Sequence, residues 1–190
     1  LYGEDGKKLS DEETLAYLEE NSYLSANHIL FMTLDPETYE ALDEETQAAK
    51  QAQAAEIAAE LQAIEDTQER LARFAALKEA LDEDSGKTVY PDGYVFQPGE
   101  MVQEFEDAVL AQEAYQVSDP VASAYGYHVI MTLPLDPNAV LDYSSTGAPM
   151  TARSVAANEA YSQAMDAYTQ AQEVVLAEGF EEPNLLDFVR

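Results

Sequence analysis

Residues 125–133 read Tyr-Gly-Tyr-His-Val-Ile-Met-Thr-Leu, and residues 26–33 read Ala-Asn-His-Ile-Leu-Phe-Met-Thr. Both runs are compact, apolar and rich in β-branched or aromatic side chains, which is typical of buried strands. Each run ends at a proline, Pro134 or Pro36, because proline cannot continue a strand ladder. The two runs therefore predict the first and last strands of one small domain.

Each predicted strand has a histidine near its middle, His28 in the first and His128 in the last, and the chain has only these 2. Taken singly, a histidine in an apolar strand is more often a hydrogen-bonded core residue than a ligand or a base. A pair on two strands of one domain is different, because paired strands would let the two imidazoles hydrogen-bond to each other.

The rest of the chain predicts helices around a few short strands. Ser10 with Glu13 three residues later has the pattern of an N-terminal capping box, so a helix should begin there and end near Asn21. Amphipathic patterns predict further helices over 44–64, 66–81, 101–110 and 153–178. The remaining predictions are a strand over 93–97, a turn and strand over 117–123, and a loop over 138–152. This order of elements predicts an α+β fold.

Charge and composition exclude several functions. The chain has 190 residues, with 38 Asp and Glu against 9 Lys and Arg, for a net charge of −29. Such a surface repels nucleic-acid phosphate and anionic lipid, so we exclude both as main partners. The charge indicates either solubility alone or a preference for neutral and basic polypeptides.

Metal and cofactor sites have little support in the sequence. There is no cysteine, so thiolate metal sites and disulfides are excluded. Residues 82–86 read Asp-Glu-Asp-Ser-Gly, and this glycine comes one residue too early for a calcium-binding EF-hand loop. We predict neither a metal nor a cofactor.

Four segments, in order, resemble the motifs of parvulin-type peptidyl-prolyl cis–trans isomerases. They are the first-strand motif at 26–30, the Gly-x-Met helix motif at 98–108, the turn at 117–121 and the closing strand at 125–130. The resemblance covers 25–133 and implies a parvulin-like (FKBP-like) four-stranded antiparallel sheet with surrounding helices. It leaves 1–24 and 134–190 as flanking segments, which resemble the helical chaperone lobe of extracytoplasmic foldases of Gram-positive bacteria.

The resemblance also implies a site for residues of this chain. In the family, histidines of the first and last strands lie under the active site, and these match His28 and His128. A Cys or Asp stands beside the prolyl amide, and counting back from Phe96 puts Asp84 there. The residues that match the proline pocket and its edge are Met101, Phe105, Ser123 and Tyr125.

This set of residues suits the rotation of an X-Pro bond. The barrier of about 20 kcal/mol comes from amide resonance, and no bond is made or broken, so neither a nucleophile nor a metal is needed. The enzyme must hold the proline ring in an apolar pocket and favour the twisted amide. Met101 and Phe105, four residues apart on one predicted helix, would form that pocket. Asp84, supported by the two histidines, would stabilise the twisted state.

Two segments depart from the family pattern. Gly93 stands where a leucine often walls the pocket, so the pocket is expected to be wider or to use Tyr94 instead. Residues 32–37 lack the cations that phosphate-directed parvulins have after the first strand, so selectivity for phosphoserine-proline is not expected.

Two functions stay open. The first is an active isomerase that assists the folding of exported, proline-containing polypeptides. The second is a holdase that keeps the parvulin fold as a binding platform with little catalysis. The resemblance further implies an extracytoplasmic lipoprotein whose anchor lies outside this chain.

The flanking helices should share an apolar face. We expect the first and last helices to pack together, with the remaining face available within the chain or to a second copy in a homodimer. The apolar positions concerned are Leu15, Leu18, Tyr161, Tyr168 and Val175.

Overall fold

A computed structural model describes residues 9–171. Five helices are present in this part of the chain: α1 Asp11–Glu20, α2 Glu44–Gln62, α3 Thr67–Leu81, α4 Gln103–Leu110 and α5 Ala152–Ala171. The six strands are β1 Leu24–Met32, β2 Tyr94–Phe96, β3 Val121–Ala122, β4 Gly126–Thr132, β5 Val140–Tyr143 and β6 Pro149–Thr151. A short 3-10 helix, Ser85–Thr88, lies between α3 and β2.

The two quoted runs form the centre of a four-stranded antiparallel sheet. The strand order is β2-β1-β4-β3, and β1 pairs with β4 along its length. The α+β prediction and the parvulin-like sheet are therefore confirmed.

The sheet is covered by helices on both faces. Because side chains alternate along a strand, Ile29 and Val129 pack with α2 and α3, whereas Ala26 and Ile130 pack with Phe105 of α4. The register places His28 opposite Ile130 and His128 opposite Leu30, so both histidines point to the α4 face. This alternation separates the apolar core under α2 and α3 from the side of the sheet that carries the two histidines.

The first and last helices pack together, as predicted. Arg153 at the start of α5 bonds to the Leu9 carbonyl and to Asp11, and the Tyr17 hydroxyl donates to Glu159 at 3.0 Å. The expected capping box of α1 is also present. Of the predicted helix over 153–178, the part beyond residue 171 lies outside the described residues, as does Val175.

The prediction of a loop over 138–152 is wrong. This segment forms the β5–β6 hairpin, which is closed by a turn at residues 144–147 with Gly147 at a φ of 79°. Its strands are short and mostly exposed, so the period-2 apolar pattern that marks a half-buried strand is absent.

None of the described helices is both long and apolar enough to cross a bilayer.

Candidate active site

A cavity of about 340 Å³ opens on the α4 face of the sheet, and we call it the candidate pocket. It brings together seven of the eight residues that the sequence nominated for the site. Its lining includes His28, Asp84, Tyr94, Met101, Phe105, Tyr125 and His128. The eighth residue, Ser123, lies behind His128 and contacts its ring.

The two histidines meet edge to face, and the hydrogen bond between them that paired strands could have allowed is not formed. Their ring centroids lie 5.1 Å apart at an interplanar angle of 71°. The reason is register, because His28 and His128 lie diagonally across β1 and β4 and not directly opposite. His128 Nε2 instead pairs with Ser123 Oγ at 2.7 Å. No described residue hydrogen-bonds Nδ1 of either ring.

Asp84 is placed at the rim of the pocket by contacts to both of its carboxylate oxygens. Oδ1 accepts the Gly86 amide at 3.0 Å, and Oδ2 accepts the Tyr94 hydroxyl at 2.5 Å. His28 Nε2 lies 3.2 Å from Oδ2. Burial alone would raise the pKa of Asp84, but His28, Tyr94 and Gly86 outweigh it and hold that pKa well below its usual range. The pocket therefore contains a fixed negative charge.

His128 is the neutral member of the site. Burial, and then the proximity of His28, lower the pKa of His128 to about 4. Its ring is therefore uncharged at neutral pH and able to share a hydrogen bond with the Ser123 hydroxyl.

We predict that His128 makes stability fall as the pH is lowered. The unfolded chain takes up a proton at His128 below a pKa near 6.5, whereas the folded chain takes it up only near pH 4, so the folded state is penalised throughout that interval. Between pH 7 and pH 5 the wild type should lose about 2 kcal/mol more unfolding free energy than His128→Asn.

Urea unfolding of both proteins at the two pH values measures this difference. The many surface carboxylates are common to both proteins, so their contribution cancels. Asp84 affects stability in a different pH range. Its lowered pKa stabilises the folded state at neutral pH, and this contribution is lost only as the pH falls below about 4. An equal change in unfolding free energy in wild type and variant would contradict the inference that folded His128 stays neutral down to about pH 4.

A buried ion pair that the sequence reasoning missed fixes the loop that carries Asp84. Lys78 Nζ donates to Asp82 Oδ2 at 2.9 Å and to the His28 carbonyl at 3.0 Å. Asp82 Oδ1 accepts the amides of Leu30 and Asp84, at 2.9 and 3.1 Å. The pair thus joins α3, β1 and the loop directly behind the pocket. Its only sequence signal was the four-residue spacing, which is common in exposed helical pairs.

These side chains leave little room for a cation. Ligand atoms of His28, Asp82 and Asp84 lie within 4.8 Å of one another. Lys78 and two amides already use the Asp82 carboxylate, so an ion there would have to displace the lysine.

Phe105 forms the apolar floor of the pocket. It lies edge-on to both histidine rings, with centroid distances of 5.3 and 5.9 Å. Met101 lines the same pocket but lies before α4, not on it, so the predicted shared helix is wrong. The cause is Glu106, whose buried Oε1 accepts the amides of Gly99 and Met101 and folds that turn onto the helix.

Gly93 does not wall the pocket. Its φ is 104°, and an added Cβ would lie 2.6 Å from the Ala26 carbonyl oxygen, so no side chain fits there. The alternative named in the sequence analysis applies, because Tyr94 lines the pocket.

Tyr39 is a pocket residue that the sequence did not reveal. It belongs to the loop after β1, is 68% exposed and lines the pocket mouth. Asp35 shapes this loop: its Oδ1 accepts the amides of Glu37 and Thr38, and its carbonyl accepts the Tyr39 amide. These bonds hold Tyr39 at a φ of 57°. A single tyrosine in a polar loop has no pattern that would have indicated this role.

Comparison with known proteins identifies the segment that carries the pocket. A family model described as Rotamase, a PPIC-type PPIase domain, matches residues 28–133. The foldase protein PrsA of Halalkalibacterium halodurans is 33% identical over 131 residues, which are 67% of this chain and 32% of that protein. The chaperone SurA of Chromohalobacter salexigens is 42% identical over 71 residues, 34% of this chain and 16% of that protein.

Among solved structures, the crystal structure of PrsA from Bacillus subtilis aligns with a TM-score of 0.45 and 21% identity, covering 90% of this chain and 59% of that one. The chain spans about a third of the length of the Halalkalibacterium relative. The family match includes β1 from His28 onward, all of β4 and α4 and the Asp84 loop, and it covers more than half of the chain. This chain therefore belongs to the PPIC-type, parvulin family of peptidyl-prolyl isomerases.

Proposed function

We propose that this chain catalyses the cis–trans isomerisation of X-Pro bonds in polypeptides. One observation carries the proposal: the candidate pocket places an ionised carboxylate, Asp84, at the edge of an apolar floor formed by Phe105 and Met101. A proline ring needs the apolar surface, and its amide needs an oriented electrostatic field.

The mechanism follows from the charge distribution of the amide. A planar amide has partial negative charge on its carbonyl oxygen through resonance, and the twisted amide loses most of it. A fixed anion near that oxygen therefore disfavours the planar forms relative to the twisted one. In this proposal Asp84 supplies the anion and the neutral His128 supports the pocket. Neither histidine acts as a general acid or base, because no proton is transferred.

The wider role that we propose is that of a foldase for exported polypeptides. The likeness to PrsA and SurA proteins supports it. The isomerase domain would be residues 25–133, with residues 1–24 and 134–190 contributing helices to a chaperone lobe. An extracytoplasmic location and a lipid anchor belong to the same proposal.

A second function, holding unfolded chains without catalysis, is favoured by one observation on α5. Tyr161, Met165 and Tyr168 are all exposed, and their spacing of four and three residues puts them on one helix face. Such a face suits either unfolded polypeptide or the same face of a second copy. Substituting Tyr161 and Tyr168 with serine should weaken suppression of client aggregation, and leave isomerisation of short peptides unchanged.

The charge of the pocket predicts which residue is accepted before proline. Asp84 and the exposed Glu100 line the pocket, and none of the described lining residues is lysine or arginine. Like charges close to each other cost about 1 kcal/mol even in water. Peptides with Lys or Ala before proline should therefore be isomerised about fivefold faster than peptides with Glu, and phosphoserine should be slower still.

Exchange NMR on this peptide series tests the proposal. Glu100→Gln should reduce the difference in isomerisation rate between the Lys-Pro and Glu-Pro peptides. Salt at 0.5 M should reduce it as well, because the Debye length then falls to roughly 4 Å and the charges are screened. Equal or faster turnover of the phosphoserine peptide would contradict the predicted selectivity. No acceleration of any peptide would contradict the isomerase itself.

A further inference from the structure

The β5–β6 hairpin lies outside the segment that the family model matches, yet it contacts the loop that carries Asp84. The Tyr143 hydroxyl donates to the Val89 carbonyl at 3.1 Å. The Tyr143 ring also lies edge-on to Tyr90, with centroids 5.9 Å apart. One side chain of the hairpin thus touches both the backbone and a side chain of the segment between the 3-10 helix and β2.

From these two contacts, two separate routes lead to the two oxygens of Asp84. Through the backbone, the Val89 amide donates to the Gly86 carbonyl at 2.9 Å, and the Gly86 amide donates to Asp84 Oδ1 at 3.0 Å. Through the side chains, Tyr90 packs on Tyr94 at 5.0 Å, and the Tyr94 hydroxyl donates to Asp84 Oδ2 at 2.5 Å. We call Tyr143, Tyr90 and Tyr94 the tyrosine row.

The two routes also meet each other at Gly86. A Cβ added at Gly86 would lie 2.0 Å from the Tyr94 hydroxyl oxygen, so the tyrosine packs directly against the backbone of the 3-10 helix. A shift of either route would therefore displace the other, and with it the carboxylate.

The hairpin itself is held by the flanking helices. At its base, the Ala152 amide donates to the Ala139 carbonyl at 2.9 Å, and the Arg153 amide donates to the Pro137 carbonyl at 3.2 Å. The Arg153 side chain bonds to Asn138 and to Asp11 of α1. A continuous set of contacts thus runs from the α1–α5 pair to the pocket.

We infer that the β5–β6 hairpin positions Asp84 for the reaction, with Tyr143 as the positioning residue. The inference rests on the proposed isomerase function for its kinetic consequence, but its structural part does not. Tyr143 is not one of the residues that line the candidate pocket. It acts through Gly86 and Tyr94, and it connects the flanking segment to the rate of the central domain.

Comparing Tyr143→Ala with Tyr143→Phe tests the inference. Tyr143 is 37% exposed, so truncation leaves little cavity. Alanine removes the two Tyr143 contacts from which the routes start. It should therefore lower kcat for an Ala-Pro peptide about fivefold to tenfold with KM unchanged. Phenylalanine keeps the ring against Tyr90 but lacks the hydroxyl, so the decrease in kcat should be about half as large on a logarithmic scale. Met150→Ala, at an equally exposed position of the same hairpin, is the control and should behave as wild type.

The second measurement is the amide resonance of Gly86, which reports the bond to the Asp84 carboxylate whether or not the protein is active. It should move in Tyr143→Ala, move less in Tyr143→Phe and stay in Met150→Ala. Unchanged kcat and an unchanged Gly86 resonance in Tyr143→Ala would overturn the inference, as would equal effects in Met150→Ala. If the wild type is inactive, the isomerase proposal fails, and the Gly86 resonance alone decides whether the hairpin positions Asp84.

Discussion

Asp84→Ala is expected to lower kcat for a prolyl peptide by about a hundredfold, a loss typical of removing one preorganised electrostatic group from an active site. The Asp84 carboxylate lies 3.2 Å from His28 Nε2, and it carries a negative charge at neutral pH because its pKa lies well below its usual range. KM should change little, because the apolar floor at Phe105 and Met101 remains. Steady-state exchange NMR on an Ala-Pro peptide measures both constants.

Two matched variants separate charge from shape. Asp84→Asn can keep the contacts with Tyr94 and Gly86 but has no charge, and it should be nearly as slow as alanine. Asp92→Asn removes the same charge from an exposed position in the same connection, outside the candidate pocket, and should keep wild-type activity. Full activity in Asp84→Ala would remove Asp84 from the mechanism.

Lys78→Met is expected to cost about 3 kcal/mol of unfolding free energy, because it leaves the Asp82 carboxylate buried without its cation. The Lys78 and Asp82 side chains are 7% and 0% exposed, so solvent cannot replace the lost partner. The His28 carbonyl also loses its donor. Urea unfolding at neutral pH measures the change.

The exposed pair of Arg73 with Glu60 provides the control. Arg73→Met should change the unfolding free energy little, because water already solvates both groups. Adding Asp82→Asn to Lys78→Met should recover part of the loss, since no charge is then buried and an acceptor remains for the Leu30 and Asp84 amides. A Lys78→Met protein as stable as Arg73→Met would contradict the account of the buried pair.

The sequence predicted the elements whose pattern is local. β1 and β4 are apolar runs that end at proline, and α2 and α3 have helical periodicity with Asp N-caps, so both kinds of element follow from nearby residues. Asp84 was found through family spacing from Phe96, not from its own surroundings. Its catalytic role stays a prediction.

What the sequence did not predict depends on contacts between distant segments. The diagonal arrangement of His28 and His128 needs the β1–β4 register. The burial of Lys78 needs β1 to cover the end of α3, and the site role of Tyr39 needs the Asp35 turn to direct it over the pocket. The β5–β6 hairpin has no apolar face that would mark it as strand, and its contact with the Asp84 loop involves residues about 54 positions apart.

The most direct test is the rate of cis–trans exchange in an Ala-Pro peptide, measured with wild-type protein and with a His28→Ala/Asp84→Ala variant. The account predicts acceleration over the uncatalysed rate in proportion to wild-type concentration, and its loss in the folded variant. An uncatalysed rate in the presence of folded wild-type protein would contradict it, and would leave the holdase function to be tested by suppression of aggregation.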